Sequence, residues 1–572
     1  MEAPVRRWTA IVCIGLAASA AALGCTPKTE EVVDAGAKAN APVPAPAGLL
    51  GEAVLSTPNG TWTKAQQRIG GPLAILPMSF GGLVCTWAGL DPALGNDVDG
   101  IAPAYVVMGG KPDEPGFVLA VKLADERHAR SVLFDGEVAR FKARPDGDLT
   151  FADGKTGPLT YPVALTKNGF LVVGKTDADV RDLAAYATRT MPTKPVPREA
   201  LVADLPRPLF GALAAKLEAM WKSLASDLDD ADKRARKAHG GRPPDFGDPA
   251  AVLAQVDAFT GRRLAELRDV SRAKLVVDLD DAGLRAEAVL TPTDPASPLA
   301  RYLGGVKPGA ASPILGASGD SEVAVLLRDD PKARLEDAKS LDAAVAAALG
   351  GRLPDEGKKK LTALLEDWQR GRSDEMVVTF TRAPAKGAVL RTKVADRAAL
   401  ERALRAVPDV LKLPALKEPL RIQDVTTKTI DVDGVGKVEQ ITAELAKPEP
   451  GPSPGKKKPD AGPRAYGLAW TIKDDAAVVG AGEDPGKVLA SLGKVERTLG
   501  DDRMFSAPVT AVGEGVSFAL VAQPLKLDPT RLGAAPAPVV VTWGKKDNDA
   551  VLRAWVAAPL LKELVKRQMF GP

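Results

Sequence analysis

Histidine is the scarcest side chain with useful acid–base chemistry in this 572-residue chain: only His128 and His239 occur. One sits in a charged helical pattern and the other in a polar, glycine-flanked stretch, which argues against His-based triads and His-rich metal centres. Cysteine is equally sparse, at Cys13, Cys25 and Cys85. Aromatic residues make up 5% of the chain, few for a cleft that would stack sugar rings on Trp or Tyr. Net charge is +3, far from the basic excess of a nucleic-acid binder. No apolar run after residue 25 reaches the roughly 20 residues that span a bilayer. Familiar catalytic signatures fail one by one. GKTG at 154–157 lacks the glycine that a phosphate loop needs five positions earlier, where Leu149 stands. SRAK at 271–274 and KTG occur in the reverse of the order used by penicillin-recognising serine enzymes. DVDG at 97–100 and 431–434 lacks the remaining ligands of a calcium loop and reads as turn chemistry. No catalytic, cofactor-binding or metal-ligating residue is assigned from the sequence, and no cofactor is expected.

What is present begins at the N-terminus. Arg6 and Arg7 precede an apolar stretch, Trp8 to Leu23, of 16 residues. That length suits a removable secretory signal better than a permanent span. The stretch ends in AALGC at 21–25, which resembles the lipobox of bacterial lipoproteins. Gly24 and Cys25 match the motif; Ala22-Leu23 departs from it, since the family prefers Leu first and a small residue second. An ordinary signal peptide cleaved nearby is the alternative. The resemblance implies a signal peptide at 1–24 and lipidation of Cys25, whose two or three acyl chains would form the contact with the membrane. Thr26, rather than Asp, implies sorting to the outer membrane, and hence a cell-envelope location. Residues 25–48, Pro- and Ala-rich after the cysteine, read as a disordered tether reaching roughly 70 Å if extended. Cys85, left without a partner, reads as a buried small hydrophobe within GGLVCTW.

Apolar content of 45% with 26% charge is ordinary for a folded chain of this size. An internal repeat organises it. YVVMGGKPDEPGFVLAVKLADERHARSVL (105–133) lies over MVVTFTRAPAKGAVLRTKVADRAALERAL (376–404) without a gap, with nine identities in 29 positions. YPVALTKNGFLVVG (161–174) is echoed by YGLAWTIKDDAAVVG (466–480), and the hairpin LVVDLDDAGLRAEAV (275–289) by VVVTWGKKDNDAVLRAWV (539–556). PLARYL at 298–303 matches PLLKEL at 559–564. Two tandem lobes are therefore expected, 49–307 and 308–572. Paired strands with short turns predict mostly antiparallel sheets with packed helices, an α+β class. Asp125 and Asp396 stand where helix N-caps belong. Leu213, Leu217, Met220, Leu224 and Leu228 form one apolar helical stripe, and Leu361, Leu364, Leu365 and Trp368 another; both are expected to face a core. Lobe one carries a helical insertion at about 207–270. Lobe two carries a Pro-rich insertion at 446–465, read as a disordered loop with Lys456, Lys457 and Lys458 solvated.

Functionally, these features favour a non-catalytic, lipid-anchored envelope protein that binds or scaffolds, with the groove between the two lobes as the expected site. The alternative is a carboxylate-dependent hydrolase of the envelope, for which no pair among the 73 acidic residues stands out. The mature chain also resembles uncharacterised secreted bacterial proteins built of repeated strand–helix modules. That likeness brings no activity with it.

Overall fold

The structure, a computed structural model, describes residues 40–570 except 136–139, 155–158, 239–248, 336–343, 346–348, 350–352, 383–385, 447–463, 494–496 and 528–534. The signal peptide, Cys25, most of the tether, His239 and nearly all of the 446–465 insertion lie outside the described residues.

Strands follow the chain as β1 (Gly51–Leu55), β2 (Ala104–Lys111), β3 (Glu114–Lys122), β4 (Phe141–Asp146), β5 (Leu149–Gly154), β6 (Val163–Thr166), β7 (Phe170–Gly174), β8 (Leu201–Pro206), β9 (Val270–Leu279) and β10 (Gly283–Pro292). They continue as β11 (Val323–Arg328), β12 (Arg372–Thr381), β13 (Gly387–Val394), β14 (Ile422–Val432), β15 (Gly436–Leu445), β16 (Arg464–Lys473), β17 (Ala476–Gly482), β18 (Val516–Ala522), β19 (Val539–Lys546) and β20 (Asp549–Ala557). The first set pairs in the order β4-β5-β6-β7-β3-β2-β1-β8-β9-β10. The second pairs in the order β14-β15-β16-β17-β13-β12-β11-β18-β19. Each strand of the second series stands ten places after its counterpart, and every pairing is antiparallel. The fold is α+β with two tandem related halves.

The helices that matter for the site are α1 (Phe80–Ala88), α2 (Glu126–Arg130), α3 (Asp177–Ala185), α4 (Arg207–Ala238), α5 (Pro249–Arg268), α6 (Asp355–Gly371), α7 (Arg397–Leu411) and α8 (Pro485–Gly493). Local chemistry sets their starts. The Asp125 carboxylate accepts the His128 amide at the head of α2, and Asp396 accepts the Ala399 amide at the head of α7. Thr176 does the same for α3 through the Asp179 amide. At the β9–β10 turn, Asp280 accepts from the Ala282 and Gly283 amides at 2.8 and 2.9 Å, closing the hairpin.

Several sequence expectations need correction. The chain divides into two compact units: residues up to Leu217, Ala265–Ala300 and from Asn548 onward form the first, and Glu218–Leu264 with Arg301–Asp547 the second. Residues 548–572 thus leave the expected second lobe, because β20 hydrogen-bonds along β10 from Gly283↔Ala557 to Leu290↔Ala550. Residues 218–264 leave the expected first lobe. The gapless alignment also slips by one residue in its first strand. Val107 pairs with Val118, whereas Val389, the counterpart of Val118, pairs with Thr379 rather than Val378. A slip of one exchanges the faces of a strand, so Val107 corresponds to Thr379. The tether ends sooner than residue 48: the Val43 amide donates to Thr190 Oγ1 at 2.8 Å, and that hydroxyl donates back to the Val43 carbonyl at 2.6 Å.

The helical insertion is formed by α4 and α5, inserted between β8 and β9 where the other half spans only residues 523–538 between β18 and β19. Its leucine stripe is not core. Leu213, Leu217, Met220, Leu224 and Leu228 remain 40–61% exposed, because the α4 face that is covered instead carries Phe210 and Ala214. The α6 stripe does enter cores, with Leu361, Leu364 and Leu365 packing around Leu349 and Leu353 and Trp368 against Leu400.

Candidate functional site

The same face of the repeated sheet is treated in opposite ways by the two halves. In the first unit, the face of β2, β3 and β7 that lies under α3 carries Tyr105, Val107, Val118, Ala120, Phe170 and Val172. Helix α3 runs on without a break into a π-helical turn, Tyr186–Thr190, and a 3-10 turn, Met191–Thr193. Tyr186, Ala187 and Met191 from this extension close the face, leaving Ala120 with no exposed surface. In the second unit the described part of α8 over the equivalent face ends at Gly493. By Arg497 the chain has joined another segment, the Gly319 amide donating to the Arg497 carbonyl and the Leu499 amide to that of Ala317. The part of the face beyond α8 is a pocket of about 390 Å³.

Its floor is Val377 and Thr379 of β12, Val389 of β13 and Val478 of β17, and its rim includes Pro313, Gly316 and Ala317. Two cations of β13, Arg391 and Lys393, complete this part of the lining. Because Val118 pairs with Gly174 and Val389 with Gly480, Arg391 occupies the place of Ala120, and Lys393 that of Lys122. Residues at i, i+2 and i+4 of a strand share one face, so Val389, Arg391 and Lys393 all project into this pocket's side of the sheet.

The cations are unspent. Arg391 makes one hydrogen bond, Nη1 to the Gly316 carbonyl at 3.3 Å, and neither it nor Lys393 has an ion-pair partner among the described residues. Arg391 keeps surface at the pocket mouth, yet the protein around its guanidinium desolvates it and lowers its pKa from the ordinary arginine value. The sole carboxylate of the lining, Glu375, is held by Arg328 through Nε at 3.0 Å and Nη2 at 2.6 Å. In the first unit Lys122 is used structurally: its ammonium donates to the Asn168 carbonyl at 2.6 Å and lies 4.8 Å over the Phe170 ring.

A second cavity, of about 250 Å³ in the first unit, shows the contrast. Its lining charges neutralise one another: Arg181 with Asp146 at 2.7 Å, Lys167 with Asp148 at 2.9 Å, and Arg189 with Asp148. Lys167 and Arg189 hold the Asp148 carboxyl below its usual range despite partial desolvation. A glycosidase-type general acid needs the opposite displacement, so this cluster does not supply one.

The remaining sequence candidates take structural places. Cys85 on α1 is fully buried and free, its thiol pushed up to about 12 by desolvation and by the neighbouring Asp91 and Asp97 charges. Asp97 of the first DVDG is paired with His128 Nδ1 at 2.8 Å, while Asp99 accepts the Ile101 and Ala102 amides as turn chemistry requires. In the second DVDG, the Val435 amide closes a turn on the Val432 carbonyl. Ser271 of SRAK donates to the Thr291 and Pro292 carbonyls within its hairpin. Among the described residues no cluster of three or more His, Cys, Asp or Glu is arranged to hold a metal ion. Arg391 and Lys393 were missed by motif reading. The signal was in the repeat itself, where VLAVK aligns with VLRTK and an apolar position becomes Arg.

No family model matches the chain, and no curated protein does. Among solved structures, crystal form III of TP0453 is similar over 44% of this chain and 96% of its own, at 12% identity and a TM-score of 0.21. Crystal form IV of TP0453 covers 48% and 99%, at 13% identity and a TM-score of 0.21.

Proposed function

We propose that this protein is a non-catalytic, lipid-anchored component of the bacterial cell envelope that binds a small ligand in the second unit. One observation supports binding above all: a face sealed by core side chains in one half is an open, charged pocket in the other. A volume of about 390 Å³ lies within the ordinary range for small-molecule sites. The anchor is the diacylated Cys25 that AALGC calls for, with the outer membrane as destination because Thr26 follows it. Nucleic acid is not a partner on this reading, since the chain has no basic excess.

Two measurements test it. The intact mass of envelope-extracted protein should correspond to loss of residues 1–24 plus lipid, and Cys25→Ala should release the chain from the membrane fraction. Native mass spectrometry of protein purified from an envelope extract should show a small bound molecule that is lost on Val389→Trp, which fills the pocket floor. An unlipidated Cys25 overturns the anchor; identical spectra for the two proteins overturn the site.

A further inference from the structure

Resting on that binding reading, the chemistry of the pocket narrows its occupant. The floor is aliphatic apart from Thr379, and the lining contains no Phe, Tyr or Trp. A flat ring, whether nucleobase or sugar, would find no stacking partner there. A flexible aliphatic chain would bury against Val377, Val389 and Val478 at roughly 0.8 kcal/mol per methylene. A wholly apolar ligand is disfavoured for a different reason. Seating it would strip water from the Arg391 guanidinium without replacing the lost hydrogen bonds. An anion placed beside Arg391 and Lys393 of β13 reverses that penalty. Arg391 and Lys393 are two residues apart on one strand, about 7 Å, a span that a single carboxylate or phosphate can bridge with long side chains. Glu375 does not compete for Arg391, because Arg328 already holds its carboxylate. Elsewhere in the second unit Arg372 is paired with Asp329 and Arg402 with Asp367. Neither Arg391 nor Lys393, the two cations of the pocket lining, has such a partner among the described residues.

We propose that the pocket takes an amphipathic anion, a single aliphatic chain seated over Val377, Val389 and Val478 with a carboxylate or phosphate-monoester head held by Arg391 and Lys393.

The test is titration calorimetry on the full chain carrying Cys25→Ala, with decanoate, decyl phosphate, decanol, acetate and inorganic phosphate as separate probes. Decanoate or decyl phosphate should bind one per chain, with decanol at least about tenfold weaker and the two short anions giving no heat, as expected when both the head and the tail contribute. The tighter of the two chained anions identifies the head. Arg391→Gln should weaken binding about tenfold or more and Lys393→Gln about threefold, with both variants melting as the parent does. Val389→Trp should abolish binding by either chained anion. Decanol binding as tightly as decanoate, with Arg391→Gln silent, overturns the anionic class while leaving a pocket that binds. No binding by any chained probe overturns the proposal and weighs against the binding reading itself. Acetate or inorganic phosphate binding as tightly as the chained anions also overturns it, since the tail would then contribute nothing.

Discussion

Two copies of one sheet face, Val118-Ala120-Lys122 and Val389-Arg391-Lys393, sit in the same strand order and meet opposite fates. In the first, a helix that continues for a further two turns buries its aromatic and thioether side chains against the strands. In the second, the chain has left the helix by Arg497, where it joins residues 317–319, and the open part of the face carries a guanidinium. The difference teaches how a repeat can separate duties. The sealed copy supplies packing, and packing tolerates no unpaired charge. The open copy forgoes some of that packing, which is the usual relation between a binding surface and stability.

The largest effect expected from this contrast is on the sealed side. Met191→Ala should destabilise the first unit by about 2–5 kcal/mol, since Met191 is fully enclosed and its removal leaves a cavity. Val389→Ala should cost less, about 1–2 kcal/mol: Val389 is itself buried, but it loses fewer atoms and lines the pocket, where its neighbours have room to relax. Urea unfolding of the full chain compares them, and equal costs would break the contrast.

Next comes a polar device that only the first unit has. Buried Glu52 accepts from Tyr186 Oη at 2.8 Å and from Lys194 Nζ at 2.5 Å, while its counterpart in the second unit is Ala324. Glu52→Gln should cost about 1–3 kcal/mol by leaving the Lys194 charge unmatched. Desolvation works to lower the Lys194 pKa, but its bonds to Glu52 and Tyr186 win and raise it above 10.5. The folded state therefore holds the Lys194 proton more tightly than the unfolded one. That stability is fully present below pH 10.5 and is lost as pH rises through the higher folded value. A urea midpoint that falls above pH 10.5 in the parent, and falls less in Lys194→Met, meets the expectation.

A smaller effect has the opposite sign. Arg391→Met should stabilise the second unit only slightly while eliminating anion binding, because it removes a partly desolvated charge without an ion-pair partner, an effect kept small by the side chain's exposure to water. A thermal melt that drops instead would mean that Arg391 holds the fold rather than a ligand.

The repeat was legible because caps and apolar positions must recur wherever the same core recurs. Asp125 and Asp396, and the VVG that ends one copy's sheet face and marks the other, carry that information locally. The pairing of β20 with β10 was not legible, since a strand's partner depends on edges that no local pattern records. Nor was the fate of the Leu213–Leu228 stripe: periodicity reports that one face is apolar, not that anything covers it. The pocket was half legible. The change from Ala120 to Arg391 is visible in the alignment, but the joining of Arg497 to Gly319, away from this face, is a tertiary fact.

The smallest effect places a pH response near neutrality in the first unit. Asp97 is buried, and its carboxylate meets His128 Nδ1 at 2.8 Å, whereas the second unit has Ala399 at the equivalent cap position. The hydrogen bond to Asp97, then its charge, outweighs desolvation and raises the His128 pKa above 6.5. The folded chain thus binds this proton more tightly than the unfolded chain. The contribution is complete below pH 6.5 and disappears as pH rises through the folded value. It is modest, because the imidazole is largely exposed and water screens the pair. With two histidines in the chain, imidazole resonances can be assigned by substituting His239 alone. The His128 signal should titrate above 6.5 in the parent and return to the ordinary value in Asp97→Asn. An unshifted His128 in the parent would remove this neutral-pH response, and with it the expectation that amides at the head of α2 exchange faster at pH 8 than at pH 6 once intrinsic rates are corrected.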